Sequence, residues 1–98
     1  MYMLTIKSNE PFFVRDNLND LKGEAKQMKE IDIVPNNINA IYDFNKREYG
    51  KKVQGTVIIL NQVKITFIDI LEANDIKFTL RSLTLKRAIK SGLDTVEL

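Results

Sequence analysis

A run of basic residues near the C-terminus offers the clearest chemistry in this 98-residue chain. The stretch from Ile76 to Leu93 contains five basic side chains and no acidic one. A local excess of positive charge of this kind attracts polyanions, and nucleic acid in particular. The phosphate-binding residues predicted from this run are Lys77, Arg81, Lys86, Arg87 and Lys90.

A second basic group lies just before Val53 and includes an aromatic residue. Its predicted phosphate-binding residues are Arg47, Lys51 and Lys52, which flank Tyr49. Basic side chains interleaved with an aromatic ring suit a phosphate backbone that carries a stacked base. Neither basic group matches an established DNA- or RNA-binding motif, so a solvated charged surface is the competing interpretation of both.

The composition argues against catalysis. The chain contains no histidine and no cysteine, so it lacks an unperturbed titrating group near neutral pH, a thiolate nucleophile and a soft metal ligand. Asp16 and Asp20 have helical spacing, but no calcium-loop pattern surrounds them. Ser82 has no histidine to act as its base. We therefore predict a non-enzymatic binding protein without a metal site or a cofactor.

The elements that position these residues are predicted to form a single α+β domain over residues 1–98. Alternating and β-branched patterns indicate an antiparallel meander of four to five strands. A tight turn at Asn61 and Gln62 is predicted to join two of them. Residues 45–52 are interpreted as a polar loop. The predicted strands cover residues 2–7, 38–44, 53–60, 63–71 and 76–81.

Two helices are predicted around this meander. The first is an amphipathic helix near the N-terminus, because apolar residues recur there at spacings of four, three, four and three. The second is a short C-terminal helix with Thr84 as its N-cap and Gly92 as its C-terminal cap. The apolar stripe of the first helix consists of Val14, Leu18, Leu21, Ala25 and Met28.

Both faces of the two middle strands are apolar. Val57 and Ile59 alternate with Ile58 and Leu60 on one of them, whereas a sheet that is wetted on one side would alternate more cleanly. We therefore expect the second face to be covered, either by one helix on each face or by a partner subunit. The aromatic residues expected in the core include Tyr42, Phe44, Phe67 and Phe78.

Phe12 and Phe13 follow Pro11 and precede the first predicted helix. A large apolar side chain at this point often packs against the helix that it precedes. The alternative is an exposed anchor for a partner protein, because buried aromatic anchors dominate protein interfaces. Phe12 and Phe13 are therefore the candidate protein-interaction residues.

These observations lead to two hypotheses of different kinds. The leading one is a nucleic-acid-binding accessory factor of a phage, plasmid or other mobile element, since the Ile-, Asn- and Lys-rich composition is typical of AT-rich genomes. The alternative is a protein-interaction module: a phage structural or assembly subunit, or an inhibitor of a host protein. A homo-oligomer is one form that such a module takes. The longest apolar run, residues 57–60, is far shorter than a membrane span of roughly 20 residues. We expect a cytoplasmic protein that does not bind membranes.

Overall fold

The computed structural model describes residues 2–17, 24–71 and 77–98, with backbone alone for residues 77–79. The described residues form six strands, one α-helix and a single turn of 3-10 helix at Pro35–Asn37, between the second and third strands. The helix, α1, spans Lys77–Ser91 and precedes the last strand. The strands are β1 (Leu4–Arg15), β2 (Lys26–Ile33), β3 (Ile38–Glu48), β4 (Lys51–Leu60), β5 (Val63–Ile70) and β6 (Thr95–Glu97).

The strands form one sheet in the order β2-β1-β5-β4-β3, and each neighbouring pair in this path is antiparallel. β6 pairs with β1 in parallel, with Thr95 opposite Thr5. The long β1 therefore has three partners. It pairs with β2 along one edge. Along the other edge its first residues pair with β6, and Phe13 farther along lies opposite Thr66 of β5. The predicted meander is confirmed for β3, β4 and β5, and β3 lies at one edge of the path.

The predicted N-terminal helix is wrong. Val14 lies in β1 and Met28 lies in β2, while Leu18 and Leu21 fall outside the described residues. In β1, buried Phe12 and Val14 alternate with half-buried neighbours, which is the period of two expected for a strand. The helical spacing of the apolar residues is coincidental, because it combines residues of two separate strands, β1 and β2, with those of the segment between them.

The C-terminal prediction also needs correction, because the predicted last strand and short helix belong to the single helix α1. Ser82, Leu85 and Ala88 are buried at spacings of three, which is helical. The Thr84 hydroxyl donates a 2.7 Å hydrogen bond to the Leu80 carbonyl, so Thr84 lies inside the helix and does not cap it. The fold is thus a mainly antiparallel six-stranded sheet with one described helix, rather than the α+β arrangement with two helices.

The predicted cap at Gly92 agrees with the structure. Gly92 has a φ of 66°, a left-handed conformation that glycine adopts without steric cost. The Leu93 amide donates to the Ala88 carbonyl at 3.1 Å, and the Gly92 amide donates to the Ile89 carbonyl at 3.4 Å. These two bonds form a Schellman motif that satisfies the last carbonyls of α1.

Helix α1 packs against one face of the sheet, which we call the helix face. Successive side chains of a strand point to opposite faces, so the helix face collects alternate residues of the central strands. The rings of Phe12 and Phe67 meet there with centroids 4.9 Å apart and planes inclined by 49°. The core of this face includes Leu4, Ile6, Phe12, Val14, Ile58, Ile65, Phe67, Leu85 and Ala88.

The opposite surface of the sheet, which we call the open face, is also apolar. This agrees with the prediction from the apolar residues on both faces of the two middle strands. Val57 is only 2% exposed there, flanked by its cross-strand neighbours Tyr42 and Thr66. In the part of the chain that the structure describes, no helix covers this face. The expected arrangement of one helix on each face is therefore not found among these residues.

Gly55 gives a first testable prediction, because it allows the Phe44 ring to lie against β4. A Cβ atom at this position would lie 2.6 Å from Phe44 Cζ and would overlap the Phe67 carbonyl oxygen. We expect Gly55→Ala to lower the free energy of unfolding by about 2 to 3 kcal/mol, since overpacking shifts the backbone of a central strand. Urea denaturation measures this change.

The control for this prediction is Gly50→Ala in the β3–β4 turn. Gly50 has a φ of 75°, and no atom lies within 4 Å of a Cβ placed there. The control therefore carries only the cost of a left-handed alanine, about 1 kcal/mol. Equal losses in the two variants would show that Gly55 is not required by close packing.

Candidate nucleic-acid interface

Arg81, one of the predicted phosphate ligands, is committed to the protein interior. Its Nη1 atom lies 2.8 Å from Asp69 Oδ1, and the two side chains are only 13% and 7% exposed. A guanidinium that is held in a buried ion pair does not reach a phosphate in solvent. Arg81 is therefore not one of the phosphate-binding residues of the proposed site. The side chain of Lys77 lies outside the described part of the structure.

Asp43 of β3 anchors helix α1 to the sheet. Its Oδ1 atom accepts hydrogen bonds from the buried hydroxyls of Ser82, at 2.8 Å, and Thr56, at 3.4 Å. Its Oδ2 atom lies 3.6 Å from the Nζ atom of Lys86. Lys90 follows Lys86 by one helical turn and is exposed, so both lysines lie on one side of α1. These contacts place Lys86 beside β3, with Lys90 one turn farther along α1.

The second basic group lies at the end of the β3–β4 hairpin. The predicted loop is too long, because only Tyr49 and Gly50 form the turn. Their φ values of 50° and 75° are typical of the type I′ turn that joins twisted strands. The Tyr49 side chain is fully exposed. Because the turn is so short, β3 and β4 remain paired as far as Glu48 and Lys51. Their side chains therefore alternate between the two faces up to the turn.

The register of this hairpin divides its basic residues between the two faces. Arg47 lies directly opposite Lys52, and Glu48 lies opposite Lys51. Arg47 follows Asp43 by four residues and therefore shares the helix face with it. Lys51 points to the open face with Glu48. Of the three predicted residues in this group, Arg47 and Lys52 thus join the helix side and Lys51 does not.

We call the exposed cations of this side the helix-side basic cluster. It extends from the end of the β3–β4 hairpin to the outer surface of α1. Arg47 at the hairpin end lies roughly 13 Å along β3 from Asp43, the residue that contacts α1, at about 3.3 Å per residue. Apart from the Lys86 contact with Asp43, its members form no ion pair among the described residues. The cluster consists of Arg47, Lys52, Lys86, Arg87 and Lys90.

The open face holds aromatic and basic side chains that sequence analysis did not select. A shallow groove of about 220 Å³ separates Tyr42 and Phe44 from Lys64, with Val57 and Thr66 at its base. Tyr42 is 42% exposed. Lys64 lines this groove and lies directly opposite Arg15 of β1, so the open face carries a second pair of opposed cations.

Lys46 also lines the open-face groove. Its Nζ atom lies 5.7 Å from the centre of the Phe44 ring and 2.8 Å from Glu48 Oε1. Strand alternation alone could have placed Tyr42, Phe44 and Lys46 on one face. The missing information was which face α1 covers, and for that reason these aromatics were expected in the core.

The two candidate protein-interaction residues lie on opposite faces. Phe12 is 1% exposed and belongs to the core, so its interpretation as an exposed anchor is wrong. Phe13 is half-buried, and its pairing with Thr66 places it on the open face. Because β1 continues through both residues, neither of them packs at the start of a helix.

Tyr2 connects the start of the sheet to the end of α1. Its hydroxyl lies 3.1 Å from the Ala88 carbonyl oxygen and 2.6 Å from that of Leu93. Burial, with a smaller effect of the negative charge on Asp94, raises the pKa of the Tyr2 hydroxyl. The phenol therefore stays protonated and keeps donating to the C-terminal end of the helix.

Beside these surfaces, the described residues contain no metal site. Residues 2–17, 24–71 and 77–98 contain no cluster of three or more acidic, histidine or cysteine side chains that could hold a metal ion. None of the helices described is long and apolar enough to cross a membrane. The chain matches no known protein family, no curated protein and no solved structure.

Proposed function

We propose that this chain is a non-enzymatic nucleic-acid-binding protein and that the helix-side basic cluster holds the phosphates. The observation that carries the proposal is the anchoring of α1 by Asp43. Because Asp43 binds Ser82 and approaches Lys86, two basic groups that are distant in sequence lie on the same side of the sheet. This arrangement suits a phosphate backbone, which carries closely and regularly spaced charge.

The opposition of Arg47 and Lys52 supports an anionic ligand. Like charges that face each other across two strands destabilise a sheet, and neither residue has an acidic partner within the described chain. A bound phosphate relieves this repulsion. Binding of this kind reads charge rather than sequence and weakens steeply as salt is added. Nonspecific binding of nucleic acid, together with an Ile-, Asn- and Lys-rich composition that is typical of AT-rich genomes, fits an accessory factor of a phage, plasmid or other mobile element.

Charge reversal in the helix-side basic cluster tests the proposal. We expect Lys86→Glu/Arg87→Glu to lower affinity for a fluorescent oligonucleotide at least tenfold at about 50 mM salt, because two phosphate contacts become repulsive. The fold should persist, since the Lys86 and Asp43 side chains are 47% and 39% exposed and pairs at the surface contribute about 1 kcal/mol or less. Fluorescence anisotropy measures affinity, and circular dichroism checks folding.

The matched control is Lys26→Glu/Lys29→Glu on β2, at the other end of the strand order from β3. It changes the net charge by the same amount and also removes one exposed ion pair, between Lys26 and Asp16. The proposal requires the control to lose much less affinity than the test variant. Equal losses in the two variants would show a response to net charge alone, and unchanged binding by Lys86→Glu/Arg87→Glu would reject the cluster.

A further inference from the structure

We infer that the open face binds the unpaired bases of a single-stranded nucleic acid. This inference rests on the proposed function, because it names the form of the nucleic acid that the protein binds. It adds a second contact surface on the side of the sheet away from α1. The surface comprises Phe13, Arg15, Tyr42, Phe44, Lys46 and Lys64.

The aromatic residues of the open face are spaced for several bases. The strand register places Tyr42, Val57, Thr66 and Phe13 side by side in one row across β3, β4, β5 and β1. Three strand spacings of about 4.8 Å separate the two rings by roughly 14 Å. Phe44 follows Tyr42 by two residues, or about 7 Å along β3. Tyr42 is exposed, whereas Phe13 and Phe44 are half-buried. Aromatic side chains on a binding surface stack on bases without regard to sequence.

Cations border these rings. Arg15 and Lys64 face each other directly across β1 and β5, one row from Phe13 and Thr66, and neither has an ion-pair partner among the residues described. Opposed cations destabilise a sheet unless an anion lies between them. A phosphate at this pair would leave its base beside the aromatic row, which is the arrangement that single-strand binding requires.

Charge also favours this ligand over a protein partner. The centre of a protein interface is depleted of charged residues, whereas Lys64 and Lys46 line the same groove as Tyr42 and Phe44. A duplex is disfavoured for a different reason, because its bases are stacked inside and offer no free ring face to an open sheet. Aromatic side chains on a sheet stack on bases that are splayed out of a strand.

The two proposed surfaces meet along β3, which lies at the edge of the strand order. Arg47 points to the helix face, whereas Tyr42 and Phe44 point to the open face. A flexible single strand that crosses this edge contacts the phosphate-binding cluster on one side and the aromatic row on the other. A rigid duplex reaches the helix-side cluster alone.

Tyr42→Thr tests the inference, because threonine keeps strand propensity and removes the ring. We expect it to lower affinity for labelled oligothymidine about fivefold or more, the loss of one stacked base, and to leave duplex affinity unchanged. Tyr42→Phe, the matched control, keeps the ring and should bind oligothymidine like the original protein. Lys64→Gln provides a second variant if Tyr42→Thr does not fold, and it should weaken oligothymidine binding selectively.

The failure of this inference can be distinguished from that of the proposed function. If the original protein binds neither oligothymidine nor duplex, both fail. If it binds both and the Lys86→Glu/Arg87→Glu variant binds neither, while Tyr42→Thr and Lys64→Gln have no effect, the open-face inference alone is overturned. A Tyr42→Thr variant that changes oligomeric state in light scattering with unchanged oligothymidine affinity would assign this face to a second copy of the chain, and would also overturn the inference.

Discussion

Replacement of Arg81 by methionine is expected to lower the free energy of unfolding by about 3 to 5 kcal/mol. Arg81 and Asp69 form an ion pair at 2.8 Å, and both side chains are nearly excluded from water. Methionine retains much of the volume of the arginine stem but leaves the Asp69 carboxylate buried without this cation. Removing one partner of a buried ion pair typically costs this much, because the remaining buried charge loses the cation that balanced it.

The control for this prediction removes both charges. Asp69→Leu/Arg81→Met should recover most of the lost stability, because apolar side chains of similar volume replace many buried ion pairs at little cost. Urea denaturation of the single and double variants measures the difference. A loss below about 1 kcal/mol in Arg81→Met would contradict the account, since it would place the pair in the range of exposed salt bridges.

The Arg81 variant also bears on function. Because Arg81 lies outside the helix-side basic cluster, the folded fraction of Arg81→Met should bind an oligonucleotide with unchanged affinity. The sequence placed this arginine among five basic residues with no acid nearby, whereas its acidic partner, Asp69, belongs to β5. A local charge run therefore does not show which of its members are neutralised from another element.

Phe12→Ala is the second substitution with a large expected effect, again about 3 to 5 kcal/mol of unfolding free energy. Phe12 is 1% exposed and packs against Phe67, with ring centroids 4.9 Å apart. Truncation of a fully buried phenylalanine removes transfer free energy and leaves a cavity. Thermal and urea unfolding of the variant measure the loss.

The matched control is Phe13→Ala, one residue farther along the chain. Phe13 is half-buried on the open face, so we expect its truncation to cost about 1 kcal/mol, because less apolar area leaves water on folding. If Phe13→Ala were as destabilising as Phe12→Ala, the assignment of the two rings to opposite faces of β1 would be wrong.

Local patterns predicted the parts of the fold that depend on neighbouring residues. The β-branched runs of β4 and β5, the tight turn at Asn61 and the cap at Gly92 are all set within a few residues. The pairing of β1 with β2, β5 and β6 depends instead on contacts between distant segments. Without that pairing, Val14 and Met28 appeared to share one helical stripe.

The candidate site was predictable in composition but not in arrangement. The clusters around Tyr49 and along α1 are visible as basic residues in the sequence. The two basic groups lie on the same side of the sheet because Asp43 contacts Ser82 and Lys86, and these contacts join β3 to α1. The aromatic groove was missed because the exposure of Tyr42 depends on which face of the sheet the helix covers.

The most direct test of the central claim is an anisotropy titration of labelled oligothymidine, and of a duplex of equal length, at two salt concentrations. With about five phosphate contacts, affinity for the single strand should fall roughly 100-fold between 50 and 200 mM salt. At the higher salt, the single strand should bind more tightly than the duplex, because base stacking is less sensitive to salt than phosphate contact. Absence of binding to either oligonucleotide at the lower salt would contradict nucleic-acid binding and identify the basic residues as a solvated surface.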